Sequence, residues 1–338
     1  MNQLAHAPFH LSLMKVFMVL AGVVAVAGTV MADGPGKGGA AYGATFYSQA
    51  VVTSQLADTV SLVDLKSMKV VSEIHVSGKP VGVALSPDHR RAYVSAPESG
   101  ELVVIDLETQ RSVDRVKVGN GPVGVGVNPV SGVIYVADWY DHTLTVVDPA
   151  RLEVIGLVKV GQSPSGVAPT PDGRFVLTAD RDSNSISLID TRTLKRVGTI
   201  AVGKRPFGLT IDATGKTAYA ANVKSNDISI IDIASRSVVA TVPVGRRPYA
   251  VALAGRFAFT TNQYASTVSV IDLKSRKVIK TIEVGGYPEG IMASPDGRYV
   301  YVSCWDENTL ERINVAKLEV DAHTDVADGP RAFGSFLR

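Results

Sequence analysis

The sequence has very little cysteine, tryptophan and histidine. Its 338 residues include one cysteine, Cys304, so no disulfide can form within the chain and stability has to come from packing. The motif Cys-x-x-Cys-His does not occur, which excludes haem attached covalently as in c-type cytochromes. The histidines are too scattered to supply a three-histidine centre, so the sequence predicts no metal site.

An excess of charge of either sign is also missing. The 34 lysines and arginines nearly balance 32 acidic residues, and the formal net charge is +2. This balance argues against a surface that binds nucleic acid over its whole extent. With 46% hydrophobic and 20% charged residues, the composition is that of a folded globular protein.

The N-terminal apolar run, residues 16–27, is too short to cross ~30 Å of hydrocarbon. It follows Lys15 and ends in small residues, with a cleavage-type site at Ala32. We therefore predict a secretory signal peptide over residues 1–32 and a glycine-rich linker over residues 33–44, which places the mature chain, without a membrane span, in the periplasm or outside the cell. An uncleaved membrane anchor is the alternative.

One proline recurs along the rest of the chain at a nearly constant interval. The steps between successive copies are 42, 42, 42, 42, 40 and 42 residues, and an Asp or Asn that follows Val or Ile keeps the same interval. The prolines are Pro80, Pro122, Pro164, Pro206, Pro248, Pro288 and Pro330, and the second marker is Asp64, Asp106, Asp148, Asp190, Asp232, Asp272 and Asn314. Two independent markers in one register indicate a tandem repeat. We interpret the Asp residues as caps of the turns that follow them rather than as metal ligands.

Each repeat carries the pattern of short strands. Segments such as residues 185–190 alternate apolar and small polar residues, and Pro-Asp-Gly turns separate the runs. A period of ~40–45 residues with four strands is typical of a propeller blade. Residues 45–76 supply only a second, third and fourth strand, whereas residues 330–336 supply a first strand. The sequence thus predicts an all-β, seven-bladed β-propeller over residues 45–338, with four-stranded blades. Three N-terminal strands and one C-terminal strand close its last blade.

The second-strand segments also carry a family resemblance. Residues 93–96 (Tyr-Val-Ser-Ala), 135–138 (Tyr-Val-Ala-Asp) and 301–304 (Tyr-Val-Ser-Cys), together with Gly-x-x-Pro and Ile-Asp, resemble the YVTN-type β-propeller repeat. The resemblance covers about residues 45–338 and implies an exported propeller. Similar propellers occur in surface-layer proteins, in quinoprotein amine dehydrogenase subunits, beside quinone-cofactor pathways, in a DNA-binding periplasmic protein and, more distantly, in d1-haem proteins and lactonases. The resemblance does not choose among these functions.

Candidate binding residues lie in the loops that differ between repeats. The loop before the first strand and the loop between the second and third strands are expected on one face, around a central funnel. The predicted ligand-binding residues there are Lys79, Lys204, Arg205, Phe207, Arg246, Arg247, Tyr249, Tyr287, Arg331, Trp139 and Trp305. Clustered arginines suit carboxylate or phosphate, so we expect an anionic ligand. The alternative is that Arg205 and Arg247 pair with acids of the surrounding loops, such as Asp180 and Asp227.

The sequence favours binding over catalysis. No nucleophile with a partner base and no phosphate-cradling glycine loop can be identified, and a solvated loop is the simpler explanation of Asp138, Asp141 and His142. We predict an exported protein that binds an anionic small molecule or an acidic protein partner at the funnel, with no assignable cofactor. Two alternatives stay open. One is an enzyme or accessory subunit of periplasmic redox metabolism, linked to a quinone cofactor or haem and to a redox partner protein. The other is a protein that binds single-stranded DNA.

Overall fold

Four strands form each blade, and the computed structural model arranges seven blades around one axis. In six blades the four strands are antiparallel and connected in chain order. It describes residues 48–338, so the predicted signal peptide (1–32), the linker (33–44) and residues 45–47 lie outside the described residues. The prediction of an all-β, seven-bladed propeller is confirmed. Within residues 48–338 the one helix is a 3-10 turn, Arg181–Ser183, so no helix of this part is long enough to cross a membrane.

The strand bounds follow the predicted repeat. The blade that contains both chain ends, called the closing blade, includes β1 to β3, and the six regular blades begin at β4, β8, β12, β16, β20 and β24. In chain order the strands are β1 (Gln49–Ser54), β2 (Thr59–Asp64), β3 (Lys69–His75), β4 (Gly82–Leu85), β5 (Arg91–Ala96), β6 (Glu101–Asp106), β7 (Arg111–Lys117), β8 (Pro122–Val127), β9 (Ile134–Asp138), β10 (Thr143–Asp148), β11 (Glu153–Lys159), β12 (Pro164–Pro169), β13 (Phe175–Asp180), β14 (Ser185–Asp190), β15 (Lys195–Ala201), β16 (Pro206–Ile211), β17 (Thr217–Asn222), β18 (Asp227–Asp232), β19 (Ser237–Pro243), β20 (Pro248–Ala254), β21 (Phe257–Asn262), β22 (Thr267–Asp272), β23 (Lys277–Glu283), β24 (Pro288–Ala293), β25 (Tyr299–Cys304), β26 (Thr309–Asn314), β27 (Glu319–Asp325) and β28 (Phe333–Gly334).

Burial within a blade depends on the distance from the axis. The second and third strands pack against neighbouring blades on both faces, and the four central residues of β6 are completely buried. The fourth strands form the outer edge, where β7 keeps only Ser112 and Val116 partly buried and exposes charged residues between them. Charged side chains on an outer strand hinder pairing with the edges of other molecules.

The first strands lie so close together that five of the six regular blades have glycine two residues after the repeated proline. A Cβ on Gly82 would collide with the carbonyl oxygen of Val123 in the next blade, and a Cβ on Gly208 would collide with that of Tyr249. Glycine at this position therefore allows the first strands to pack tightly near the axis.

The repeated Asp residues cap turns, as predicted. The carboxylate of Asp64 accepts a hydrogen bond from the amide of Ser67 at 2.7 Å, and that of Asp106 accepts one from the amide of Thr109 at 2.7 Å. These hydrogen bonds hold the pKa of both carboxyl groups below the ordinary value. The seven markers are thus structural elements of the repeat.

Both chain ends contribute to the closing blade, which confirms the predicted split. The C-terminal segment, residues 330–338, pairs antiparallel with the inner edge of β1 through bridges between Ser54 and Pro330 and between Ala50 and Leu337. We call this segment the closing strand. Its middle departs from the simple prediction, because β28 leaves β1 and pairs in parallel with β4 of the next blade.

Candidate functional site

A cavity of about 340 Å³ opens at the centre of one face, and we call it the funnel. The two predicted loops meet on this face: the amide of Gln263 donates to the carbonyl of Arg247 at 2.9 Å, and the amide of Trp305 donates to that of Tyr287 at 3.1 Å. The residues that line the funnel are Gln55, Val81, Pro97, Gly121, Val123, Trp139, Tyr140, Arg181, Phe207, Val223, Arg247, Tyr249, Gln263, Tyr287, Glu289 and Arg331.

Two repeated positions supply most of the lining. The residue after the repeated proline contributes Val81, Val123, Phe207, Tyr249, Glu289 and Arg331, and the residue after the second strand contributes Gln55, Pro97, Trp139, Arg181, Val223 and Gln263. In each set the seventh copy, Ser165 or Trp305, does not line the cavity. A regular backbone therefore presents a ring of different side chains, with apolar, aromatic and charged sectors.

Aromatic rings form the floor of the funnel. The ring centroids of Phe207 and Tyr249 are 4.3 Å apart, and Phe333 of the closing strand lies 5.0 Å from Phe207. The ring of Trp139 lies 6.1 Å from that of Phe207, at the wall. These faces provide a stacking surface for a planar apolar group.

A buried acid, Glu289, and a partly buried base, Arg331, meet beside this floor. A carboxylate oxygen of Glu289 accepts a hydrogen bond from the Arg331 guanidinium at 2.9 Å, and the Gln263 amide donates to the same carboxylate at 2.8 Å. Only 1% of the Glu289 side chain is exposed, and this burial raises its pKa to about 7, although the charge of Arg331 opposes the rise. Arg331 also donates to the hydroxyl of Tyr249 at 3.1 Å.

Two further arginines, Arg181 and Arg247, line the funnel. Arg181 pairs with Asp182 at 2.8 Å and lies 5.2 Å from the Trp139 ring centroid. Burial lowers the pKa of Arg181, and the nearby charges of Arg205 and Arg247 lower it further. Arg247 forms no ion pair within residues 48–338, and its Nε atom is buried without a hydrogen-bond partner. Its guanidinium stacks 4.2 Å from the ring centroid of Tyr264.

Six of the eleven predicted residues line the funnel: Trp139, Phe207, Arg247, Tyr249, Tyr287 and Arg331. The other five surround it. Lys79 pairs with Asp58 at 3.1 Å, Arg205 lies 3.5 Å from Asp182, and the side chains of Lys204 and Arg246 are exposed. The ring of Trp305 packs 5.8 Å from that of Tyr287.

The alternative pairing with Asp180 and Asp227 does not occur. Asp180 is completely buried and accepts hydrogen bonds from the hydroxyls of Thr178 and Ser187 at 2.8 and 2.6 Å. Asp227 accepts one from the Asn222 amide. Arg205 does pair with a loop acid, but this acid is Asp182, whereas Arg247 has no carboxylate partner in the described part of the chain.

Four charged or polar lining residues were not predicted as site residues: Glu289, Arg181, Gln263 and Gln55. Each occupies one of the two repeated lining positions, so the repeat register contains the signal that identifies them. Most of the predicted cations lie instead one or two residues before the proline.

His142 has a structural role. Its Nδ1 accepts a hydrogen bond from the amide of Ser163 at 3.1 Å, just as the side chains of Asn184 and Asn226 accept from the amides of Arg205 and Arg247. No three His, Cys, Asp or Glu side chains gather as metal ligands within residues 48–338. The lining of the funnel contains no His, Cys or Met.

Two family models match parts of the sequence. The model of the YNCE-like β-propeller matches residues 168–255, and the model of the cytochrome D1 haem domain matches residues 36–170. Each covers less than half of the chain. No curated protein matches the sequence significantly.

Similar solved structures share the fold. Hydrazine synthase from Kuenenia stuttgartiensis has 22% identity and a TM-score of 0.69, over 76% of this chain and 90% of that one. A functionally unknown protein from Desulfotomaculum acetoxidans has 15% identity and a TM-score of 0.72, over 84% and 98% of the chains. The dihydro-haem d1 dehydrogenase NirN has 15% identity and a TM-score of 0.62, over 86% and 75%. The chain is therefore a seven-bladed propeller whose residues 36–170 are similar to the cytochrome D1 haem domain.

Proposed function

We propose that the funnel binds a flat, conjugated molecule that carries a carboxylate, and that the protein is a carrier or accessory subunit in periplasmic redox metabolism. One observation carries this proposal: Arg247 lines the funnel, and its guanidinium has no carboxylate partner in residues 48–338. A carboxylate of a ligand in the funnel supplies the partner that this guanidinium lacks.

The shape of the funnel favours a planar ligand of moderate size. Trp139, Phe207 and Tyr249 offer aromatic faces within the same cavity as Arg247. The volume of about 340 Å³ is at the small end of the ~300–1,000 Å³ typical of ligand pockets. A tricyclic quinone that carries carboxylates suits this volume better than a complete tetrapyrrole.

The residues of the funnel do not fit a haem held through its iron. Protein ligands of haem iron are His, Cys, Met or Tyr, and the funnel has only tyrosines among these. Burial raises the pKa of the Tyr249 and Tyr287 hydroxyls, which disfavours the tyrosinate that would bind iron. If a porphyrin binds at all, we expect it to bind through its carboxylates and ring face, with no contribution from iron.

The link to redox metabolism rests on similarity. The matched haem-domain model and NirN, whose structure contains a bound ligand, favour this setting over an unrelated anion-binding role. The predicted signal peptide supports export, and the finding of a mature N-terminus near Asp33 in the osmotic-shock fraction would test it. Recovery of the full-length chain in the cytosol would contradict export.

The binding proposal is tested by titration of Trp139 fluorescence. The probes are pyrroloquinoline quinone, haem, metal-free protoporphyrin, phosphate and an oligothymidylate. We expect the quinone acid to quench with the highest affinity, haem and the metal-free porphyrin to behave alike, and phosphate and the oligonucleotide to bind weakly. A Trp139→Phe variant assigns the signal, because Trp139 and Trp305 are the two tryptophans of the sequence.

Two arginines at the same repeat position provide a matched pair. The amides of Arg205 and Arg247 each donate to an Asn side chain at 2.9 Å, but only Arg247 lines the funnel. Arg247→Gln should weaken binding about 10- to 100-fold, since a hydrogen bond to a charged group contributes ~1.5–3 kcal/mol. Arg205→Gln should change it less than about threefold. Equal losses in both variants, or no binding of any planar carboxylate, would contradict the proposal.

A further inference from the structure

The closing strand contains more residues than the strand position that it fills. Between its bridges to β1, the six residues 331–336 face the three residues 51–53. In a regular blade, the four residues 165–168 face the three residues 177–179 between the corresponding pairs. The closing strand therefore accommodates two residues more than a regular first strand does.

The extra residues turn away from β1. Phe333 and Gly334 pair in parallel with β4, where the amide of Ser335 donates to the carbonyl of Val83 at 3.0 Å. Ala332 has a φ of 43° and Gly334 a φ of 126°. No regular blade has a left-handed residue at the position of Ala332, although five of the six have glycine there. A non-glycine residue in this region is a strained conformation that persists only where the surroundings hold it.

This departure places one large ring at the axis. The equivalent positions of the regular blades hold Val83, Val125, Val167, Leu209, Val251 and Ile291, all smaller than Phe333. Phe333 is 4% exposed, and its ring lies 5.0 Å from Phe207 and 5.7 Å from Tyr249, two residues of the funnel floor.

A second cavity lies on the other side of this ring. Its volume is about 570 Å³, and it runs toward the opposite face along the first strands, so we call it the channel. Phe333 lines it together with apolar residues such as Leu209, Val251 and Ile291. Phe207 and Tyr249 line the funnel and Phe333 lines the channel, so the contact between these rings separates a charged funnel from an apolar channel.

We propose that Phe333 determines the specificity of the funnel by setting its depth. A ligand anchored at Arg247 meets the aromatic floor and has no access to the channel, so the protein selects compact planar carboxylates and gains nothing from an apolar tail. The inference rests on the proposed function of the funnel. The new element is that Phe333 limits the length of the ligand.

The test uses naphthalene-2-carboxylate and its homologues with four to eight carbons in an alkyl chain at the distal ring position. Affinity for the wild type should not rise with chain length. Phe333→Ala should join funnel and channel, so that affinity rises about three- to fourfold per methylene, the equivalent of ~0.8 kcal/mol. Phe333→Leu introduces the residue of the regular blade at Leu209 and should show a smaller rise.

A control separates loss of the floor from loss of stability. Phe259 is completely buried and lines neither cavity, so Phe259→Ala should lower the melting temperature as Phe333→Ala does but leave the wild-type preference unchanged.

Three outcomes are distinguishable. If the wild type binds the parent carboxylate but Phe333→Ala shows the same flat dependence on chain length, the depth-setting role is overturned and the proposed function stands. If the wild type already gains affinity with chain length, the floor is open and the role is equally overturned. If the wild type binds no carboxylate, the proposed function fails, and the role of Phe333 in it fails too.

Discussion

The closing strand and the six regular first strands occupy equivalent positions and differ in what they supply. Each regular strand has Gly or Ala two positions after the repeated proline and Val, Leu or Ile three positions after it. The closing strand keeps the small residue, Ala332, but places the aromatic ring of Phe333 at the next position, beside Phe207 and Tyr249. The strand that closes the ring therefore departs from the repeat pattern at the residues beside the funnel.

The largest effect should come from removal of the closing strand. Deletion of residues 329–338 removes the buried side chains of Phe333, Phe336 and Leu337 and exposes the inner edge of β1. At ~1.5–3 kcal/mol for each large apolar side chain, the loss should reach about 5 kcal/mol or more, and the open edge should cause association. Calorimetry and light scattering check this. A truncated chain that stays monomeric with an unchanged melting temperature would contradict the role of the strand.

Loss of Arg331 alone should have the next largest effect. Arg331→Met leaves the Glu289 carboxylate buried without its cation, at a cost of about 3 kcal/mol at pH 8. The cost should shrink as the pH falls below about 7, because Glu289 then takes up a proton. Chemical denaturation at pH 8 and pH 5 measures it, and the double variant Arg331→Met with Glu289→Gln should recover most of the loss. A cost that is independent of pH would argue against an ionised Glu289.

In a regular blade, replacement of Asp180 should change the free energy of unfolding less, and it should stabilise the protein. Asp180 stands where two other blades have Asn222 and Asn262, whose amides donate to hydroxyls at 2.9 Å. Burial raises the pKa of Asp180 from 3.8 to about 6, so the folded state binds the extra proton between these values. Wild-type stability should therefore fall as the pH rises from about 4 to about 6.

Asp180→Asn should remove this fall and stabilise the protein by about 2 kcal/mol above pH 7, with little change below pH 4. Urea denaturation across this range checks it, and Glu289→Gln, which removes a titration centred near pH 7, serves as the comparison. A variant that is less stable than the wild type at pH 8 would show that the carboxylate makes a favourable interaction there.

The sequence predicts the regular part of this molecule better than its closure. The proline interval and the Ile-Asp markers repeat in every blade, and local turn chemistry and strand alternation determine them, so blade number and boundaries can be derived. The departure of Phe333 from β1 cannot be derived from the sequence, because residues 330–336 align with a regular first strand without a gap. The extra residues become visible only from the pairing with β1, almost 280 positions away. Glu289 and Arg331 are an intermediate case. They are 42 residues apart, at one repeat position of adjacent blades, so the register alone predicts that they are neighbours.

The smallest effects on stability and ligand affinity should come from the exposed cations that were predicted to bind a ligand together with Arg247. Lys204 and Arg246 are exposed, and Arg205 has 44% of its side chain exposed beside Asp182. Surface ion pairs contribute ~0–1 kcal/mol, so replacement of any of the three by Ala should change the free energy of unfolding by less than about 0.5 kcal/mol. Ligand affinity should change less than about threefold, and mainly at low ionic strength. Charges on the rim attract an anion without contacting it, and salt screens this attraction. Titrations of these variants at 20 mM and 300 mM salt, beside Arg247→Gln, separate attraction at the rim from binding in the funnel. If an exposed cation proved as important as Arg247 at high salt, the ligand would lie on the rim, above the ring of residues that follows the repeated prolines.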